Sequence, residues 1–187
     1  MMSWRKFSLF TLVATLGINT ASASAQADKF ISGPGTAAYL GGGVLLPLIT
    51  DGDKGGQRSL RIVDALATSA ALCYGAKSVI QSPRPDNERE LDSFPSCHAT
   101  TSFAVARMQS HYHPDWAVAW YGGAALISYA RVSEGRHRWY DVVAGATLGY
   151  LVGEVELGQK RGLLLFPLIR EDSQGNSIYG AQIKAEF

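Results

Sequence analysis

The segment Arg58-Ser-Leu-Arg-Ile-Val-Asp-Ala-Leu-Ala-Thr-Ser-Ala-Ala-Leu-Cys-Tyr-Gly-Ala-Lys-Ser-Val-Ile-Gln-Ser82 places apolar or small residues at Ile62, Leu66, Ser69/Ala70 and Cys73. That 3.6-residue rhythm predicts a long helix with one buried face. Pro83 and Pro85 stop it, because proline removes a hydrogen-bond donor and restricts the residue before it. Working outward, the pattern predicts further helices over about 36–50, 97–112, 115–132 and 137–157. Pro114 suits the first turn of the 115–132 helix. Ala144, Gly145, Ala146 and Gly149 give the last helix a small-residue side that lets a neighbour approach closely. The fold class expected is mainly α, a helical bundle of about five to six helices.

The tail reads differently. Leu163–Arg170 and Ile178–Phe187 flank the turn formers Ser173-Gln-Gly-Asn-Ser177, and Ala181, Ile183, Ala185 and Phe187 alternate with polar residues. A C-terminal β-hairpin over 163–187, packed on the bundle, is the expectation.

Composition narrows the class. Of 187 residues 47% are hydrophobic and 18% charged, with two cysteines. This excludes a disordered tail, a collagen repeat and a disulfide-framework miniprotein. Mean hydropathy of +0.01 argues against an ordinary polytopic membrane protein. A formal charge of +1 provides no basic field for nucleic acid.

Residues 1–25 read as a secretory signal peptide. Arg5 and Lys6 precede the short apolar run Phe7–Ile18, and small-x-small sites end at Ala23 and Ala25. Cleavage removes two positive charges and no acid, taking the formal charge from +1 to −1. No later stretch reaches the roughly 18–20 apolar residues of a spanning helix. The sequence therefore predicts a single helical domain over 26–187, periplasmic, and either soluble or peripherally attached to a membrane.

Three clusters carry the chemistry. The first runs from Lys77 to Arg84-Pro85, a point-charge cation and a planar fork that together suit a phosphate-sized anion. The second is Pro95-Ser96-Cys97-His98, where Ser96 is a natural N-cap and the first-turn amides of the next helix form an anion site. The third runs from Arg131 to His137 and Asp141. A helix beginning near Arg136 sets His137 and Asp141 four apart on one face, where the carboxylate orients an imidazole nucleophile.

Taken together, Lys-x6-Arg-Pro, Pro-Ser-x-His and Arg-x5-His-x3-Asp resemble the signature of the type 2 phosphatidic acid phosphatase superfamily, which includes bacterial acid phosphatases and vanadium haloperoxidases. The motifs run from Lys77 to Asp141, and the Gly/Ala-rich helix after Asp141 is similar too. The resemblance implies a phosphatase acting through a phosphohistidine without a metal or other cofactor, with vanadate as an inhibitor or transition-state mimic. His137 would be the nucleophile, oriented by Asp141, and His98 the acid for the leaving oxygen. Lys77, Arg84, Arg131, Ser96 and the Cys97 amide would hold the phosphoryl oxygens. The substrate implied is a phosphorylated lipid or a small phosphate ester. Two rivals stay open: a vanadate-dependent haloperoxidase, and a catalytically weak phosphate-binding envelope protein.

Two positions depart from the pattern. Cys97 stands where the family usually has glycine, and Ala130 where it usually has serine. A side chain at 97 either crowds the pocket or meets a glycine-only backbone angle. Cys73 lies one turn before Lys77, so the cysteines could pair in an oxidising periplasm; one buried cysteine and one free thiol is the simpler expectation. Asp51-Gly-Asp-Lys-Gly-Gly56 lacks the glutamate of a calcium loop and reads as a turn. His111 and His113 face different ways, and Trp116, Trp120 and Tyr121 read as core, rim or a lipid-facing collar.

Overall fold

A computed structural model describes residues 23–159, 162–163, 169–171 and 177–179. Most of the expected leader lies outside these residues. A helix over 23–30, α1, passes through a π turn at Ile31–Gly35 into α2, Thr36–Thr50. Pro34 sits inside that turn, and Thr36 Oγ1 donates to Ile31 O at 2.9 Å across it. A 3₁₀ turn, Gly52–Lys54, leads to α3, Gly55–Ile80. Then follow α4, Cys97–Tyr112, α5, Ala117–Ser133, and α6, Trp139–Gly158. The long helices match the sequence expectation within a few residues, and the Asp51 segment is the predicted turn.

The hairpin expected over 163–187 is not established. The described residues there form two three-residue strands, β1 (Ile169–Glu171) and β2 (Ser177–Tyr179), pairing Ile169 with Tyr179. The alternating stretch 181–187 lies outside the described residues. A two-stranded ribbon is marginal unless it packs on something else, so alternation alone could not secure the prediction.

Helix α4 is the centre of the bundle, packed by α6, α5, α3 and α2. Ile62, Ala65, Val105 and Met108 form the buried core, with Tyr39, Leu66 and Trp120 packed around it. Trp120 is thus a core residue, meeting the Tyr39 ring edge-on at 5.2 Å, whereas Trp116 is half exposed. The closest approach is between α4 and α6. A Cβ at Gly149 would lie 1.9 Å from the Thr100 carbonyl oxygen, and one at Gly145 would lie 2.5 Å from that of Ser96. Only glycine fits where two backbones touch in this way. The contact carries the start of α4 up to the start of α6, where Ser96 N–H donates to Asp141 O at 3.0 Å. No helix among the described residues is long and apolar enough to cross a membrane.

Candidate active site

Three chain segments converge at one end of the bundle. Helix α3 ends with Gln81 in the left-handed region, φ 48°, which turns the chain into the loop before α4. Ser93 N–H donates to Ser82 O at 2.9 Å, folding that loop back over the helix end. Lys77, 8% exposed, then reaches the loop carbonyls, donating to Asp92 O and lying 3.5 Å from Ser93 O. Burial lowers its pKa, and Arg84 and Arg131 add to the effect against the pull of Asp92 and Asp141. Arg84 forks onto Asp92, Nε to Oδ1 at 2.5 Å and a terminal nitrogen to Oδ2 at 2.9 Å. That fork holds the Asp92 carboxyl down at about 2, against a partial opposing effect of burial.

The start of α4 supplies the second segment. Ser96 occupies the N-cap position, but its hydroxyl makes no cap bond. Ser96 Oγ is fully buried and has no hydrogen-bond partner among the described residues. Cys97 is the first residue of α4, in right-handed helical backbone, so no glycine-only angle is needed there. Its sulfur is bonded to Cys73, with the Cα atoms 5.6 Å apart. The expectation of a free thiol is therefore corrected. The disulfide ties the lysine-bearing helix to the start of α4 at the position where the resemblance implies a glycine.

The third segment is the α5–α6 turn. Gly135, with φ 71°, makes a tight turn in which Arg136 and His137 N–H both donate to Arg131 O, at 3.1 and 3.2 Å. His137 precedes α6 and is not on it, because Arg138 is the N-cap and Asp141 the third helical residue. Asp141 Oδ2 accepts from Arg138 N–H at 2.8 Å and from Ser93 Oγ at 2.6 Å. His137 Nδ1 lies 3.8 Å from that same oxygen, too far for a hydrogen bond. The shared-face pairing of His137 and Asp141 is thus replaced by a closer hydroxyl between the loop and the carboxylate.

The electrostatics of the two histidines are alike. Burial lowers His137 to about 3, aided by Arg84, Lys77 and Arg131, with the Ser93 carbonyl opposing. His98 falls to about 4, again by burial first and then by Arg131, while the Ser32 carbonyl and Glu134 raise it. Both are neutral near pH 7. Arg131, 9% exposed, bonds Glu134 at 2.7 Å, and its Nε has no partner among the described residues.

The PAP2 superfamily model matches residues 59–160. The chain belongs to the PAP2 superfamily. It is also 33% identical, over 113 residues, to a Lipid A 1-phosphatase of Porphyromonas gingivalis. That match covers 56% of this chain and 25% of the relative, so the chain spans about a quarter of the relative's length. A crystal structure titled as the first transmembrane PAP2 type phosphatidylglycerolphosphate phosphatase, from Bacillus subtilis, aligns with TM-score 0.48 and 22% identity. It covers 84% of this chain and 96% of that one.

All eight residues singled out from the PAP2-like motifs lie in these three segments. Three more were missed. Asp92 holds Arg84, Ser93 holds Asp141, and Glu134 holds Arg131 while accepting from Ser32 at 2.7 Å. The i,i+3 spacing of Arg131 and Glu134 was a readable signal. Asp92 and Ser93 act from an irregular loop, where no period marks which way a side chain points. Ala130 is fully buried, so a hydroxyl added there would need a buried partner.

Proposed function

We propose that this chain is an exported phosphoric ester hydrolase that works through a phosphohistidine at His137, without a metal, on a phosphorylated lipid. The observation that carries the reading is the buried neutral imidazole of His137, facing the cations Lys77 and Arg84 of the first segment and Arg131 of the third. Three fixed cations can neutralise the charge that gathers on phosphoryl oxygens in the transition state. The unpartnered Ser96 hydroxyl, the Arg131 Nε–H and the first-turn amides of α4 add donors for those oxygens.

The steps follow from the placement. His137 Nδ1 faces Asp141, so Nε2 attacks phosphorus. The N–P bond forms as the P–O bond to the leaving group breaks, and protonated His98 gives its proton to the departing oxygen. Neutral His98 then takes a proton from the water that attacks phosphorus. The N–P bond breaks, its electron pair returns to His137, and phosphate leaves. A phosphoryl group's negative charge beside His98 raises its proton affinity, so substrate binding itself supplies the acid. Vanadate, which takes the same five-coordinate shape, is expected to inhibit.

The Cys73–Cys97 disulfide supports a periplasmic or other oxidising compartment. Similarity to a Lipid A 1-phosphatase supports a lipid phosphate as substrate class. Peripheral membrane contact draws support from the exposed Trp139 and Val143 just beyond the site. The test is phosphate release with a chelator present, from an aryl phosphate, phosphatidic acid and a lipid A 1-phosphate, with His137→Ala as control. Turnover that survives chelation, is lost in His137→Ala and leaves an acid-labile, alkali-stable phosphoenzyme in His98→Ala is expected. Phosphate binding without turnover would favour the phosphate-binding protein, and vanadate-dependent bromination the haloperoxidase.

A further inference from the structure

The motifs of the site begin at Lys77, yet a residue far before them reaches it. Ser32 lies in the π turn between α1 and α2 and is buried. Its hydroxyl donates to Glu134 Oε1 at 2.7 Å; the Lys29 carbonyl, 3.5 Å away, is too distant to compete for the proton. The other Glu134 oxygen accepts from Arg131 at 2.7 Å. The Ser32 carbonyl faces His98. One residue of the π turn thus meets both the acid and the ion pair of a phosphate-binding arginine.

The irregular turn sets this placement. Pro34 brings no N–H to it, and Thr36 N–H donates to Gly33 O, three residues back, in place of the α-helical partner Ser32 O. The turn is also fixed independently of Ser32, because Ser133 Oγ of α5 donates to Asp28 of α1 at 2.6 Å.

The Ser32 hydroxyl decides how Glu134 bonds Arg131. A carboxylate with both oxygens free forks onto an arginine, as Asp92 does on Arg84 in this same site. Ser32 occupies the oxygen that Glu134 needs for a fork. Arg131 therefore makes one bond to Glu134, and its buried Nε has no partner among the described residues. A fork would commit a second N–H of the guanidinium and tighten the ion pair against which a phosphoryl oxygen competes.

We propose that Ser32 is a positioning residue for the phosphate site: its hydroxyl holds Glu134 to a single bond with Arg131 and so keeps Arg131 available to the phosphoryl oxygens. The proposal rests on the phosphatase function above.

The experiment measures vanadate affinity by calorimetry, with kcat and KM for an aryl phosphate, in the full chain and in Ser32→Ala, Ser32→Thr, Glu134→Gln and Ser32→Ala/Glu134→Gln. Ser32→Ala is expected to weaken vanadate binding about tenfold and to raise KM by a similar factor. The loss falls on KM and not on kcat, because the Ser32 carbonyl stays beside His98. Ser32→Thr keeps the hydroxyl and is expected to restore binding. Glutamine offers one oxygen and cannot fork, so in the Glu134→Gln background Ser32→Ala is expected to change affinity less than about twofold. Unchanged affinity in Ser32→Ala, or an equal loss in both backgrounds, would overturn the proposal. Weaker vanadate binding in Ser32→Ala, with no ester turnover by the folded wild-type chain, would uphold the role of Ser32 and overturn the phosphatase function. No vanadate binding by the wild-type chain would overturn both.

Discussion

Removing the Cys73–Cys97 tie is the perturbation with the clearest magnitude. The bonded residues are 24 apart in sequence. Closing a loop of that length removes about 12 cal/mol/K from the unfolded chain, or about 3.5 kcal/mol at 25 °C. For a chain of this size 1 kcal/mol moves Tm by about 2–4 °C, so the expected fall is about 10 °C. Cys73 is fully buried, so Cys73→Ala/Cys97→Ala adds a small cavity cost. Activity should fall as well, because the tie fixes Lys77, one turn from Cys73, against the Cys97 amide. At a temperature where the variant stays folded, kcat/KM for an aryl phosphate is expected to drop about tenfold. Cys97→Gly separates two accounts of the cysteine. If Cys97 merely crowds a pocket built for glycine, Cys97→Gly gains activity. If it ties the site together, Cys97→Gly is destabilised and slowed like the double variant. Thermal melts with and without reductant, thiol titration of the unfolded unreduced protein and phosphate release are the assays. Two reactive thiols, or a Tm change under about 3 °C, would refute the reasoning.

Further outcomes are expected from pH, Ser93, Gly149 and Glu134. Between about pH 3 and 4 the free enzyme holds His98 protonated and His137 neutral, so kcat/KM should peak there and fall about tenfold per pH unit above it. The kcat profile should lie at higher pH, and a single profile for both would count against arming of His98 by substrate. Stability has the opposite slope: below about 6.5 the unfolded histidines bind protons that the folded ones refuse, so Tm falls on acidification, and bound phosphate should restore it. Ser93→Ala removes the 2.6 Å bond to Asp141, which should cost about 1–3 kcal/mol and raise the His137 pKa as the carboxylate is freed; an unmoved imidazole titration by NMR contradicts this. Gly149→Ala puts a methyl against the Thr100 carbonyl and should cost about 3 kcal/mol or more, whereas Gly75→Ala, with nothing within 4 Å, should be neutral or stabilising; denaturant melts compare the two. Glu134→Gln frees Arg131 and removes a charge that raises His98, so phosphate should inhibit more tightly while the alkaline limb of kcat/KM moves to lower pH.

The long helices were legible because their ends are marked by residues with fixed backbone consequences. Pro83 and Pro85 follow α3, and Pro114 opens the turn before α5. The small residues of α6 likewise foretold a close neighbour, which in the structure is α4. Helix α1 was not legible, because its first residues carry leader-like small-x-small sites and Pro34 follows it inside the π turn. Its acceptance depends on a wider π turn bridged by Thr36. The motif spacings picked out residues that converge at one end of the bundle, but not the bonding among them. Placing His137 on a helix gave it Asp141 as a partner; in the structure the tight turn at Gly135 holds His137 before the helix, and Ser93 takes the carboxylate. Chain order could not reveal this, since Ser93 and Asp141 are 48 residues apart.

The three cations of the site are not equivalent. Arg84 is locked by a two-bonded fork to Asp92, whose carboxyl stays ionised far into acid. Lys77 is held by carbonyls, which orient its ammonium without cancelling its charge. Arg131 alone combines a single carboxylate bond with a buried, unpartnered Nε. A phosphoryl oxygen therefore competes least against the existing bonds at Arg131, and it does so beside His98, whose proton affinity the added negative charge raises. On the proposed mechanism, binding at Arg131 and protonation of His98 are linked through Glu134, which bonds Arg131, raises His98 and accepts from Ser32 of the π turn.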